Sequence, residues 1–189
     1  MPITVRMADA FGSQLQGRSL GRKHYARLCE LLSDTPPGEI VLLDFVGVDV
    51  VTGSWINATL VPFLRWSADE GNDLYPVVCN ARKEWLDELQ LVAEFNRLCY
   101  LVAAGRLPPR AATVAGPLDP AQRKTLEAVL ASGEITGAEL ERQRPEEKIK
   151  ATAWNNRLKD LHDLRLLRRE RRGREQVYSP VVAEIAFDG

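Results

Sequence analysis

Short polar side chains recur on one side of a predicted helix near the carboxyl-terminal end of the chain. The residues that recur at helical spacing and should face a core are Ala151, Trp154, Leu158 and Leu161. The residues that then face outward are Thr152, Asn155, Asn156 and Lys159. Asn can form a bidentate contact with adenine, Thr can touch a thymine methyl group, and Lys can reach guanine or a phosphate. This side has the chemistry to read base edges in duplex DNA.

A cluster of arginines follows the helix. Two predicted strands flank Arg171-Arg172-Gly173-Arg174, where glycine supplies the positive φ of a tight hairpin turn. Residues 142–174 hold 12 basic and 5 acidic side chains, a local charge of +7 in a chain whose net charge is −1. The side chains expected to contact phosphates are Arg165, Arg168, Arg169, Arg171, Arg172 and Arg174. Two alternatives remain open: the Asn pair could cap a helix, and the arginines could form a solvated edge.

Two further helices are predicted before this region. Asp119 is a natural N-cap with Pro120 at the first helical position, and Thr136 with Glu139 forms a capping box. The order helix, helix, helix, hairpin is that of a winged helix. Residues 118–181 also resemble the winged helix-turn-helix of prokaryotic transcription regulators, in the broad group that includes the multiple antibiotic resistance regulators. The resemblance implies base reading by residues 152–159 and phosphate contact by the wing at Leu166 to Pro180.

Strands and helices alternate in the first half of the chain. The predicted strands cover residues 3–7, 40–45, 74–79 and 99–103, and the predicted helices begin near residues 19, 52 and 85. The uninterrupted apolar run from Ile40 to Phe45 is typical of a strand buried on both faces. We therefore expect an α/β domain with a mixed, mainly parallel sheet, followed by an α+β winged helix-turn-helix.

The first half of the chain resembles the STAS-like group, named for sulfate transporters and anti-sigma-factor antagonists. The residues that carry the resemblance are Phe11-Gly12, Gly17 to Arg22, Leu43 to Val48 and Thr52-Gly53-Ser54 at a strand-to-helix junction. In the antagonists a serine at this junction is phosphorylated by a partner kinase, so the resemblance implies possible phosphorylation at Ser54. The alternative is simple helix capping.

Proline and glycine set the expected domain boundaries. Residues 1–104 should form the STAS-like domain, 105–117 a linker, 118–183 the winged domain and 184–189 a tail. Residues 111–114 could instead form a short edge strand.

No catalytic set, cofactor motif or metal cluster is visible in the sequence, and three cysteines without C-x-x-C spacing fit reduced core thiols. With no leader or long apolar run, the expected location is cytoplasmic, without membrane contact. The sequence thus predicts a non-enzymatic transcription regulator that binds double-stranded DNA as a homodimer, with the STAS-like domain as a sensory or partner-binding module. The rival is an adaptor that binds only proteins. Candidate dimer contacts are Val61, Leu64, Trp66 and the first helix of the winged domain.

Overall fold

Alternating apolar segments and capped helices build ten strands and seven α-helices in the computed structural model, which describes residues 2–187. The strands are β1 (Ile3–Arg6), β2 (Gln14–Leu15), β3 (Ile40–Asp44), β4 (Val50–Val51), β5 (Tyr75–Cys79), β6 (Tyr100–Ala103), β7 (Ala111–Ala115), β8 (Leu167–Arg172), β9 (Glu175–Pro180) and β10 (Glu184–Phe187). The helices are α1 (Met7–Phe11), α2 (Arg18–Leu32), α3 (Gly53–Ser67), α4 (Lys83–Asn96), α5 (Pro120–Ser132), α6 (Gly137–Gln143) and α7 (Ala151–Asp163), with a short 3₁₀ turn at Pro145–Glu147.

Six of the strands form the central sheet, in the order β1-β3-β5-β6-β7-β10. All neighbouring pairs are parallel except β6 and β7, which are antiparallel. The apolar runs at 40–44 and 75–79 occupy the interior of the sheet, where both faces must be covered. The expectation of a mixed, mainly parallel α/β sheet is thereby confirmed.

Helices α2, α3 and α4 cover one face of the sheet. Their core contains the fully buried Trp55 together with Leu28, Phe63 and Leu89. Gly21 of α2 lies so close to α3 that an added Cβ would stand 2.8 Å from the Cβ of Ala58. Helix α2 begins at Arg18 after the N-cap Gly17, one residue before the predicted start near residue 19.

Two segments that were expected to lie outside the domains belong to the sheet instead. Residues 105–117, predicted as a linker, contain β7, which buries Ala112 and Val114 and pairs with β6. Residues 184–189, predicted as a tail, contain β10 in their described part, and β10 pairs with β7. The chain therefore leaves the sheet at β7 and returns in the neighbouring strand, and residues 116–183 form an insertion held at both ends.

Residues 118–183, called here the helix–hairpin unit, cover the second face of the sheet. One continuous core joins them to it: Val77, Leu101 and Val114 of the sheet belong to the same cluster as Leu126, Trp154, Leu158 and Tyr178 of the unit. Burying a large apolar side chain contributes about 1.5–3 kcal/mol, so this contact is too extensive to behave as a hinge. Within the unit, Ile135 bridges Tyr178 of β9 through two backbone hydrogen bonds of 2.9 Å.

A polar cluster, called here the joint, lies at the edge of this core and consists of Asp73, Tyr75, His162 and Arg165. Arg165 is 3% exposed and donates to the Asp73 carboxylate at 2.8 Å and to Nε2 of His162 at 3.0 Å. The hydroxyl of Tyr75 donates to Asp73 at 3.1 Å. Nδ1 of His162 lies 3.2 Å from the Leu167 carbonyl, which assigns the ring proton to Nδ1. Arg165, predicted to contact a phosphate, is thus buried and unable to do so.

No helix among residues 2–187 is both long enough and apolar enough to cross a membrane. Cys79 and Cys99 are buried and Cys29 is half-buried, all as free thiols. Burial raises the pKa of the Cys79 and Cys99 thiols to about 12, which makes them unreactive core groups.

The protein should become less stable as the pH is lowered, because His162 is protonated on unfolding. Burial, with the charges of Arg165 and Arg169, lowers the pKa of His162 from 6.5 to about 4. Between these values the unfolded chain binds more protons than the folded one, so the stability present above pH 6.5 is lost towards pH 4, by up to about 3 kcal/mol. Urea unfolding across this range measures the loss. The His162→Asn variant keeps a donor for Leu167 but cannot titrate, and should show a smaller slope. His24 is present in both proteins, so any difference between their pH dependences of stability comes from His162. The same pH dependence in the two proteins would contradict this prediction.

Candidate nucleic-acid interface

Helix α7 is anchored by its apolar side and leaves its polar side in solvent. Trp154, Leu158 and Leu161 are completely buried, as their spacing predicted. The four predicted base-reading residues are exposed: Thr152, Asn155, Asn156 and Lys159. None of them is covered by the sheet, because α7 turns its other side to the shared core. The sequence-predicted orientation of this helix is confirmed.

The polar side of α7 forms one wall of a groove of about 360 Å³, called here the α7 groove. Three elements line it: Asn155, Asn156 and Lys159 from α7; Arg169, Arg174, Glu175, Gln176 and Tyr178 from the β8–β9 hairpin; and Thr136, Gly137 and Ala138 at the start of α6. Among these side chains are three cations and one carboxylate. Thr152 lies on the same side of α7 but outside the groove lining.

The start of α6 is positioned by its capping box. The Glu139 amide donates to the Thr136 hydroxyl at 3.2 Å, and the Thr136 amide donates to the Glu139 carboxylate at 2.7 Å. The same turn packs tightly against α7. A Cβ added at Gly137 would stand 2.3 Å from Oδ1 of Asn155 and 2.8 Å from the Ala151 carbonyl oxygen. Gly137 therefore sets how closely the two helices approach.

The predicted phosphate-binding arginines do not all face the groove. Arg169 and Arg174 line it, and Arg168, Arg169 and Arg171 line a second concave surface that Pro37, Gly38 and Asp73 also line. Arg168 donates to the Gly38 carbonyl at 3.0 Å, which ties the hairpin to the loop before β3. One arginine-rich hairpin therefore supplies two concave surfaces, and Arg169 lines both.

Two predicted DNA-contacting cations are held in ion pairs. Arg172 donates to Glu134 and to Glu170, each at 2.8 Å. These hydrogen bonds from Arg172 lower the pKa of the Glu134 carboxyl and raise the pKa of Arg172 itself. Lys159 pairs with Asp163 one helical turn further on. Such solvent-exposed pairs contribute little to stability, so a phosphate could displace them at small cost.

Some groove residues were not among the sequence-predicted site residues. Gln176 and Tyr178 come from the returning strand of the hairpin, and Gly137 carried no signal beyond its place after a capping threonine. The alternating pattern of 175–180 could have marked Gln176 as outward-facing. The close contact of Gly137 with Asn155 depends on the angle between two helices, which no local pattern contains.

Ser54 lies far from this groove along the chain, exposed at the start of α3. The N-cap of α3 is Thr52, whose hydroxyl accepts from the amides of Gly17 and Trp55 and lies 3.1 Å from the Ser54 hydroxyl. Ser54 is therefore free of the capping role. The carboxylate of Glu88 lies beside Gly53, where a Cβ would stand 2.2 Å from it.

The two histidines do not form a reactive centre. His24 accepts a hydrogen bond from Nε1 of Trp55 at 3.1 Å and stacks on Phe11, so it is a packing residue. The Asp44 carboxylate, at the end of β3, accepts a hydrogen bond from the side-chain amide of Asn80 at 2.8 Å. Residues 2–187 contain no group of three or more His, Cys, Asp or Glu side chains arranged to hold a metal ion.

No protein-family model matches the chain, and no curated protein or solved structure is significantly similar to it.

The Gly137→Ala substitution should displace α6 from α7. The added methyl group meets a backbone oxygen that cannot rotate away, so we expect the free energy of unfolding to fall by about 1–3 kcal/mol. Urea unfolding measures the loss, and the NMR shift of the Asn155 side-chain amide reports the movement. Gly71→Ala is the matched control, because an added Cβ there meets open space. Equal stability of the two variants would contradict close packing at Gly137.

Proposed function

We propose that the helix–hairpin unit is a winged helix-turn-helix that binds double-stranded DNA, and that the chain is a prokaryotic transcription regulator. The observation that carries the proposal is the α7 groove, in which outward-facing amides of Asn155 and Asn156 lie beside the cations Arg169 and Arg174. Amides can hydrogen-bond base edges while guanidinium groups contact phosphates, and a DNA-reading surface needs both at once. The β8–β9 hairpin then acts as the wing.

The α/β sheet has a different part in this proposal. We assign it a STAS-like role as the module that binds a partner or senses a signal, on the resemblance at residues 3–104. The shared core holds α7 rigidly on this sheet, so a partner acts by covering or exposing surfaces rather than by swinging the reading helix.

A non-enzymatic protein adaptor is the second candidate. The ion pairs of Arg172 with Glu134 and Glu170, and of Lys159 with Asp163, favour it because they neutralise two of the predicted DNA contacts. In this case the α7 groove would receive a polar protein segment. The salt dependence of binding distinguishes the two functions, because counterion release makes DNA binding strongly dependent on ionic strength.

Binding of a labelled random-sequence duplex should weaken steeply with salt. For three phosphate contacts the association constant should fall about fortyfold between about 50 and 200 mM salt. The Arg174→Ala variant should bind all duplexes more weakly and with a shallower dependence on salt. The Asn156→Ala variant should instead lose preference at one base pair, by about 1–3 kcal/mol, when tested on duplexes selected from the native genome. Fluorescence anisotropy measures each constant. Arg106→Ala, outside the unit, is the control. Absence of duplex binding at low salt would favour the adaptor.

Ser54 is the proposed point of control by a partner kinase. Its hydroxyl is exposed at the start of α3, where the helix dipole favours a phosphate, while the neighbouring Glu88 carboxylate opposes one. Phosphosite mapping of protein purified from its native host should find a phosphate on Ser54 in some growth conditions and none in a Ser54→Ala strain. Unmodified Ser54 in every condition would remove this part of the proposal.

A further inference from the structure

Helices α2, α3 and α4 form an outer layer on the face of the sheet opposite to the helix–hairpin unit. Helix α2 connects β1 to β3, α3 connects β3 to β5, and α4 connects β5 to β6. Because these strands are parallel, all three helices begin at the same edge of the sheet and run in the same direction. Helix α3 lies in the middle: Gly21 of α2 approaches Ala58 on one side, and Asn96 of α4 donates to Asn57 at 3.0 Å on the other.

One flank of this layer is basic. The exposed cations of α2 are Arg18, Arg22, Lys23 and Arg27. Arg27 pairs with Glu30 at 2.7 Å, whereas the other three have no ion-pair partner among residues 2–187. Cations that point into solvent without a partner are available to a negative surface.

The other flank is acidic and apolar. At the spacing of an α-helix, Glu84, Asp87, Leu91 and Phe95 share the outward side of α4. Leu91 is 63% exposed and Phe95 is 88% exposed, the most exposed large apolar side chain of those identified in the described residues. Glu84 and Asp87 have no ion-pair partner within residues 2–187. The carboxylates occupy the first half of α4 and the apolar pair the second half.

The charges select the kind of partner that fits this layer. Carboxylates on α4 repel the phosphates of nucleic acids and anionic lipids, whereas an exposed aromatic ring beside them fits a protein contact. A fitting protein must present cations to α4 and carboxylates to α2. The chain itself presents this pattern.

We infer that the α2–α3–α4 layer is the homodimer interface of this protein. A two-fold axis parallel to the helices places α2 of one subunit on α4 of its partner, and repeats the contact on the other side. Because all three helices start at the same edge, the cations Arg18, Arg22 and Lys23 face the carboxylates at the start of α4. Ser54, at the start of α3, lies near this axis, so the phosphorylation of Ser54 proposed above requires separated subunits.

The dimensions of the layer suit a stable dimer. Helices of 14 and 15 residues are about 22 Å long, and three of them spaced about 10 Å apart cover about 650 Å² of flat area. A standard interface buries about 800 Å² of accessible surface on each partner, which a side-chain-covered layer of this size can supply. The earlier candidates Val61 and Leu64 are each 3% exposed and cannot contribute. The dimer leaves the two helix–hairpin units on opposite outer sides.

Charge reversal on each flank tests the interface without DNA. The wild-type protein should sediment as a dimer of twice 21.1 kDa. The double variant Arg18→Glu, Arg22→Glu has two acidic flanks, and the double variant Glu84→Lys, Asp87→Lys has two basic flanks. Each should be monomeric, because like charges then face each other and raise the dimer dissociation constant at least about a hundredfold. Mixed together, the two variants have complementary flanks on both sides and should form a heterodimer.

Sedimentation velocity at several concentrations, with one variant labelled, measures all these masses. Arg106→Glu with Arg142→Glu changes the same charge at exposed sites elsewhere and should leave the dimer intact. All substituted side chains are exposed, and circular dichroism checks that each variant is folded. A monomeric wild type, a dimer that survives both double variants, a mixture that stays monomeric, or an open polymer in place of a dimer would each overturn the interface.

Discussion

The shared core between the central sheet and the helix–hairpin unit is the constraint on which the rest of the structure depends. The unit is inserted between β7 and β10, two neighbouring strands, so both of its ends are held in the sheet. Its apolar side supplies the cover that a parallel sheet needs on its second face. Neither part has a complete core without the other. The joint closes the edge of this contact, where the buried Arg165 is compensated by Asp73 and His162.

This constraint decides which surfaces are free to work. With Trp154, Leu158 and Leu161 turned to the sheet, the opposite side of α7 must face solvent. The hairpin is held at one end by Arg168 on Gly38 and at the other by Arg172 between Glu134 and Glu170. These contacts leave Arg169 and Arg174 to line the α7 groove. The proposed regulator would read DNA with a rigid surface, so its control would lie in access to that surface.

The two faces of the sheet carry different electrostatic patterns. Cations and amides meet in the groove on the side of the helix–hairpin unit, while the opposite helical layer separates cations on α2 from carboxylates on α4. The near-zero net charge of the chain conceals both patterns. The proposed interaction with a negative polymer and the proposed interaction with a second copy need different arrangements of charge, and the two patterns lie on opposite faces of the sheet.

Local patterns in the sequence determined the elements and the orientation of the critical helix. Capping residues placed the starts of α5 and α6, the buried run at 40–45 predicted a central strand, and the spacing of Trp154 and Leu158 predicted which side of α7 is buried, because each depends on residues within one or two turns. The sequence left 111–114 open between a linker and a short strand, and only the tertiary structure decided that 111–115 and 184–187 are neighbouring strands of one sheet, since such short segments pair only when a distant partner is present. Tertiary structure likewise decided that Arg165 is buried at the joint while Arg174 faces the groove. Two arginines nine residues apart in one basic cluster look alike along the chain, and they differ only in which surface the shared core leaves beside them.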